Sequence, residues 1–317
     1  MFDIIAKKRY FFALSIAVLL IGLVFLFING VRLDIQFQGG TIIQIEVNDE
    51  DIDLEKAANI AEATVNKEVD AQKSQTIDVE EGDKRINLLV LNISNAEDTL
   101  TAEEQSKLID AMRNEFDVPE DAEISVNSVE PFIGKEMLLR GVRAVIWASL
   151  LIVLYIWWRF KSMGLSAGLM AIVALMHDAM VVFATYIIFK IPLDDGFIAV
   201  ILTILGYSIN DTIVIYDRIR ENMKSMRKAG IGEIVNKSIL QSLSRSINTS
   251  VATFMSMVVV YIFAVVFNIE SVRDFSLPLI TGIISGCYST IFIAGPLWVV
   301  WKEYQLKRKA ASKPAKA

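Results

Sequence analysis

The chain has 317 residues, of which 54% are hydrophobic and 21% charged, with a mean hydropathy of +0.46. Soluble domains run at about 45–50% apolar and about 25% charged. An apolar excess gathered into runs therefore indicates a membrane protein and excludes a disordered or collagen-like chain. The net charge of −6 is unevenly spread: residues 31–135 hold 25 acids and 9 bases, a balance of −16, against +10 elsewhere. An acidic insert of this kind repels phosphate, so nucleic acid is not an expected partner. Cys287 is the only cysteine and His177 the only histidine. An intramolecular disulfide, a thiolate cluster and a multi-histidine zinc site are thereby excluded, and no cofactor is expected.

In chain order, Lys7-Lys8-Arg9 precedes an apolar run from Tyr10 to Gly30. That run is longer than the about 7–15 residues of a cleavable signal and lacks a small-residue cleavage site, so it is predicted to be an uncleaved anchor helix. A crossing needs about 20 apolar residues. Six segments qualify: 10–30, 140–158, 165–189, 197–216, 247–267 and 277–301. The expected fold class is an α-helical polytopic membrane protein with six transmembrane helices and an extracytoplasmic α+β domain, residues 31–136, between the first and second. Lys and Arg gather in residues 1–9, 159–161, 217–246 and 302–317. By the positive-inside rule both termini are cytoplasmic and the acidic domain lies outside, although Lys135, Arg140 and Arg143 run against that assignment.

The insert reads as strand, helix, two strands, helix, strand. Ile42, Ile45 and Val47 mark the first strand, and Leu54, Ala57, Ala58, Ala61 and Val65 mark a helical face. Strands around 76–80 and 85–92 flank Glu81-Gly82-Asp83, a hairpin-turn signal. Thr101-Ala102-Glu103-Glu104 opens a second helix, Pro119 stops it, and 123–129 alternates as a closing strand. This order is that of the ferredoxin-like split unit. No phosphate loop, nucleophile–base pair or metal spacing is visible in it, so it is expected to be a binding or mechanical module. Beyond the fourth crossing, Val235, Ile239, Leu243 and Ile247 recur every fourth residue of the 217–246 loop, predicting an amphipathic helix along the interface. The tail, 307–317, mostly Lys, Ala, Ser and Pro, is expected to be disordered, and the basic character of 302–317 to hold topology or to meet anionic lipid rather than to read nucleic acid.

Ionisable groups inside a bilayer cost about 2.5–3.5 kcal/mol on insertion scales and are usually functional. His177 and Asp178 lie near the centre of the third span, and Asn210 and Asp211 lie in the cytoplasmic half of the fourth. Arg245 opens the fifth, followed by Asn248, Thr249, Ser250, Thr253 and Ser256. Asp211 stands six residues, roughly 9 Å, from Asp217 at the membrane edge, the edge from which Arg245 enters. Tyr207, Ser208 and Asp211 are expected on one face of the fourth helix, opposite an Arg245–Thr249–Thr253–Ser256 stripe. An acid facing a cation can bind a proton and release it as the cation approaches. Two readings stand for Arg245, this one and simple snorkelling to the headgroups. Two also stand for His177-Asp178, a functional pair and a structural contact. Gly164/Gly168 and Gly282/Gly286 are GxxxG pairs that predict close helix packing and say nothing of substrate.

Residues 206–222, Gly-Tyr-Ser-Ile-Asn-Asp-Thr-Ile-Val-Ile-Tyr-Asp-Arg-Ile-Arg-Glu-Asn, closely resemble a signature of the SecD/SecF family of bacterial protein-export membrane proteins. His177-Asp178, Arg245 through Ser250, Gly282 through Ser289 and Ile291 through Pro296 agree with it. The resemblance implies a member of the resistance-nodulation-division superfamily in the cytoplasmic membrane. It would pair with a homologous six-helix subunit, SecD, associate with SecYEG and in some cases YajC, and draw secreted polypeptides outward with the proton motive force. It places Asp211 and Arg245 in a proton pathway, with Asn210, Tyr207, Thr249, His177 and Asp178 around them. One departure stands out. The family's Asp-Phe-x-Gly-Gly motif is here Gln36-Phe37-Gln38-Gly39-Gly40, so that position is not a required ionisable group, while the glycines still predict a tight bend.

Two other functions compete. A drug-efflux transporter of the same superfamily would usually carry two fused halves and larger outer domains. An intramembrane aspartyl protease needs two carboxylates sharing a proton; its Gly-x-Gly-Asp motif is absent, and Asp217 lies at the membrane edge. Neither reading implies nucleic acid or a metal.

Overall fold

A computed structural model describes residues 3–49, 52–78, 84–94, 100–119, 122–267 and 269–311. The chain enters through α1 (Lys8–Asn29), makes the short α2 (Ile35–Gln38), and then builds an α+β unit. That unit runs β1 (Gly40–Val47), α3 (Leu54–Val65), β2 (Val69–Asp78), β3 (Lys84–Ser94), α4 (Ala102–Glu115) and β4 (Ile124–Val129). The remainder is helical: α5 (Pro131–Arg159), α6 (Leu165–Phe189), α7 (Asp195–Ser225), α8 (Ile231–Val266), α9 (Glu270–Ser289) and α10 (Gly295–Ala311). A π-helical stretch, Thr290–Ala294, joins the last two into one rod. Six of these helical stretches are long and apolar enough to cross a membrane, which makes this a multi-pass membrane protein.

The sheet is antiparallel throughout, in the order β2-β3-β1-β4. Ile43, Ile45 and Val47 alternate on β1 and meet Leu89, Leu91 and Ile93 of β3 under Ala57, Ala61 and Val65 of α3 and Leu108 and Met112 of α4. Period-two alternation on the strands and small residues on the helix let the two layers close. Thr101 caps α4 as the sequence predicts: Glu104 N–H donates to Thr101 Oγ1 at 3.3 Å, while Thr101 N–H donates to Glu104 Oε2 at 2.8 Å. The Glu81-Gly82-Asp83 turn and residues 312–317 of the tail lie outside the described residues, while 307–311, expected to be disordered, continue α10 as helix.

Two short links seat this unit on the bundle. Asp34 N–H donates to Leu193 O at 3.0 Å and Leu193 N–H to Arg32 O at 2.9 Å, so the strap leaving α1 pairs with the loop between α6 and α7. Phe37, 2% exposed, packs into the transmembrane core rather than into the sheet unit. A Cβ at Gly134 would stand 2.8 Å from the Phe37 carbonyl oxygen, so α5 passes directly beneath α2. Gly39 (φ +85°) and Gly40 (φ +145°) then turn the chain into β1, the bend the glycine pair predicts.

The helix that carries the second span, α5, already starts at Pro131, before the expected span at 140–158, and passes α2 at Gly134. Two expectations are corrected. The expected 217–246 loop shrinks to residues 226–230. Val235 and Ile239 pack into the bundle core with Ile219 of α7, and Asn222 Nδ2 donates to Ser238 Oγ and to Gln241 Oε1, both at 2.8 Å. The first part of the stripe thus buries against protein, with Leu243 half-buried and Ile247 exposed, and the helix continues unbroken as α8 instead of lying along the interface. Finally, Gly164 caps α6 at φ +79° with nothing near its Cβ position, so it packs no helix. Gly168 does, with a Cβ position 3.2 Å from Val153 O on α5.

Gly282 and Gly286 bring α9 against α7. A Cβ at Gly282 would lie 2.6 Å from Ile204 and 2.9 Å from Val182, and one at Gly286 would lie 3.2 Å from Ser208 Cβ. Gly282→Ala is expected to cost about 1–3 kcal/mol by overpacking, read as a lowered melting temperature of the purified protein in detergent.

Candidate functional site

Asp211 sits on α7 with 4% of its surface exposed, and its Oδ2 has no hydrogen-bond partner among the described residues. Across from it on α8, Ser246 is fully buried and its Oγ is likewise unpartnered, so the two oxygens face each other without a bond of standard geometry. Arg245 lies within electrostatic reach of Asp211 and closes no ion pair within 4 Å among the described residues. One turn towards the sheet unit, Tyr207 Oη donates to Ser250 Oγ at 2.9 Å and ties α7 to α8. An acid with an open lone pair beside an unpaired cation is an arrangement that can take up and release a proton.

The face α8 offers to α7 differs from the expected one. Ser238, Ser242, Ser246 and Ser250, every fourth residue, are buried. Thr249, Thr253 and Ser256 instead donate back to the carbonyls of Arg245, Thr249 and Ala252, at 2.9, 3.0 and 3.0 Å. Arg245, Asn248, Thr249 and Ser256 are exposed along one side of α8. On α7, Thr203, Gly206 and Asn210 form a second exposed stripe. Asn210 and Thr249 therefore look outward from the chain, and only Tyr207, Asp211 and the reach of Arg245 meet at the helix contact. The four-residue spacing of the serines was the signal for the buried face, masked in the sequence by the larger polar residues one step away.

Asp178 forms a second, separate centre. It is wholly buried and accepts from Ser208 Oγ (2.7 Å), Ser285 Oγ (2.6 Å) and Ser289 Oγ (2.7 Å), with His177 Nδ1 at 3.3 Å. His177 Nε2 has no partner among the described residues, and the ring lies 6.2 Å from that of Tyr288. Ser208 thus points to α6 and α9, not to the face that carries Asp211. Asp217 lies farther along α7, 2.6 Å from Arg220 Nη2 and 3.4 Å from Arg159 Nη2, and is held as a partly exposed charge cluster. Among the described residues its ion-pair partners are arginines, not a second carboxylate.

At the end that bears the sheet unit, Asp34 and Asp194 cap α2 and α7, each accepting a backbone N–H, from Gln36 at 2.9 Å and from Phe197 at 3.0 Å. Burial pushes both carboxyls above the ordinary carboxylate value. Their caps oppose that shift, and neighbouring Asp195 adds to it. They border a cleft of about 520 Å³ between the open sheet face (Ile42, Gln44, Val90) and the ends of α6 and α9.

A multi-pass membrane protein with an α+β unit between its first two spans and buried acids in the bundle is the class this structure defines. The family model described as "Protein export membrane protein SecD/SecF, C-terminal" matches residues 109–304. The chain is similar to the protein translocase subunit SecF of Alicyclobacillus acidocaldarius, at 36% identity over 97% of this chain and 95% of that one. It is also similar to the protein translocase subunit SecDF of Bacillus subtilis, at 32% identity over 98% of this chain and 39% of that one. Among solved structures, the crystal structure of SecDF from Thermus, described as a translocon-associated membrane protein, superposes with a TM-score of 0.77 at 29% identity. The match covers 95% of this chain and 39% of the Thermus chain, so this chain spans about two-fifths of the SecDF proteins it resembles. The chain belongs to the SecF family of protein translocase subunits.

Because the Asp34 and Asp194 carboxyls are raised in the fold, the folded state holds their protons more tightly than the unfolded state does. Their contribution therefore falls as pH rises from the ordinary carboxylate value through the raised one. Asn caps as well as Asp, so Asp34→Asn with Asp194→Asn is expected to raise the melting temperature at neutral pH and to flatten its decline between acid and neutral pH.

Proposed function

We propose that this chain is a non-enzymatic subunit of the bacterial Sec export machinery that uses the proton gradient to help draw secreted polypeptides across the cytoplasmic membrane. Asp211 takes up the proton and Arg245 tunes its release, with Tyr207 holding α7 to α8 beside them. The observation that carries this reading is the buried, unpartnered Asp211 Oδ2 within reach of an unpaired Arg245. Asp211 lies inside the bundle rather than at an edge, so it cannot snorkel out of the apolar layer.

A membrane face that is both polar and exposed needs a protein to cover it, since lipid tails offer no hydrogen bonds. The Thr203–Gly206–Asn210 stripe of α7 beside the Arg245–Asn248–Thr249–Ser256 stripe of α8 is such a face. SecD, the homologous half, is the partner that reading places there, so Asn210 and Thr249 complete the proton pathway at the subunit contact. SecYEG, in some cases with YajC, and the emerging polypeptide are the remaining partners, met on the side of the acidic sheet unit. Both termini lie in the cytoplasm under the positive-inside rule. The sheet unit is read as a ferredoxin-like module within the resistance-nodulation-division architecture.

In cells with matched amounts of each variant, Asp211→Asn is expected to abolish the gradient-dependent part of secretion, while Asp211→Glu keeps it. Normal secretion by the Asn variant would remove the proton-coupling reading. Gly206 has nothing within 4 Å of its Cβ position. Gly206→Leu is therefore expected to leave the melting temperature of the isolated chain unchanged but to lower co-purification with SecD by about tenfold, as a side chain blocks a small-residue contact.

A further inference from the structure

Asp178 and Asp211 solve the same problem in opposite ways. A carboxylate offers about four lone-pair sites. Those of Asp178 are met by three serine hydroxyls at 2.6–2.7 Å and by His177 Nδ1, and the hydroxyl distances are those of charge-assisted O–H···O⁻ bonds. Nothing is left open for a passing proton. Asp211 keeps an oxygen free. The two are joined through one helix: Ser208, a donor to Asp178, stands three residues before Asp211 on α7. At about 100° per residue the two side chains point to different neighbours, Ser208 to α6 and α9, and Asp211 to α8. Any turn of α7 that broke the Ser208 bond would swing Asp211 through the same angle. Sliding is blocked as well, because the α9 backbone at Gly282 and Gly286 lies against Ile204 and Ser208.

We infer that Asp178 is a positioning residue that carries no transferred proton: through Ser208 it fixes the rotation of α7 and so presents Asp211 to Arg245. This rests on the reading that Asp211 takes up the proton. Ser285 and Ser289 hold the same carboxylate from α9, which makes Asp178 the point where α6, α7 and α9 are clamped.

Ser208 and Ser289 provide the test, since each donates to the same Oδ2 at the same 2.7 Å from different helices. Ser208→Ala and Ser289→Ala remove equal bonds and are expected to lower the melting temperature by similar amounts. Translocation is then followed in membrane vesicles holding the full chain with its partner subunits, with and without a proton gradient, across a range of pH. The groups that set the profile around Asp211 are Arg245 and Ser246 on α8, Cys287 on α9 and Tyr207 on α7 itself. Ser208→Ala is expected to cut the gradient-dependent rate about tenfold, the equivalent of one charge-assisted hydrogen bond, and to move its pH midpoint. Ser289→Ala leaves the midpoint in place. Asp178→Asn, which keeps a carbonyl to accept from Ser208, retains a measurable gradient response. Equal effects of the two serine variants would overturn the inference, as would loss of the response in Asp178→Asn with both serine variants normal. Asp211→Asn is run beside them: if it keeps the gradient response, the proton-uptake reading itself fails, whatever the serines do.

Discussion

The cost of a charge in hydrocarbon governs this molecule. Each ionisable side chain held at membrane depth must find donors, a counter-charge or a partner protein. Three solutions coexist within a few helical turns. Asp178 is enclosed by hydroxyls from two other helices. Asp211 is buried but left with one oxygen free beside Arg245. Arg245, Asn248 and Thr249 are exposed on α8. The first carboxylate is fully bonded, the second keeps an unpartnered oxygen among the described residues, and the third group lies open at the helix surface.

Small residues make the first two possible. Helices joined by charge-assisted bonds must come close, and van der Waals packing of Gly, Ala and Ser is what draws spans together in lipid. On α6 these are Ala167, Gly168, Ala171 and Ala174, and on α9 Gly282, Ser285, Gly286 and Ser289, all buried or in close contact. On α8 they are the serines at 238, 242, 246 and 250. Many large apolar residues are turned the other way: α1 exposes Leu14, Ile16, Leu20 and Phe27, and α5 exposes Trp147, Leu151 and Trp158. Small residues thus line the close helix contacts of this bundle, beside a core that also buries Phe37, Phe160, Tyr186, Tyr216 and Trp298.

The part of this arrangement that the sequence made legible is the local part. The six spans, the order of elements in the acidic insert and the capping box at Thr101 followed from apolar length, alternation and N-cap chemistry, all of them local signals. Asp211 stood out because an acid at that depth has few explanations. The buried side of α8 was not legible. A rule that ranks residues by polarity selects Arg245, Thr249, Thr253 and Ser256, yet Thr and Ser hydroxyls in a helix can satisfy themselves on the carbonyl four residues back, and three of these do. Self-satisfied hydroxyls tolerate an outward face as well as a buried one, as Ser238, bonded back to Ile234 O at 2.7 Å inside the contact, shows. Nor did local pattern distinguish an interfacial helix from the first turns of α8, since a stripe every fourth residue suits either lipid headgroups or the flank of α7.

The strap beyond α1 connects these intramembrane details to the sheet unit. Leu193, which pairs with Arg32 and Asp34, lies between the end of α6 that follows Asp178 and the start of α7 that leads to Asp211. α7 is one unbroken helix from Asp195 to Ser225. The sheet unit is therefore anchored to the loop whose two helices carry the two acids. Phe37 packs in the bundle core on one side of that anchorage, and the positive-φ bend at Gly39-Gly40 leads into β1 on the other. The backbone pairs at Leu193, the packed Phe37 and the glycine bend thus link the two acid-bearing helices to the sheet unit over a short stretch of chain.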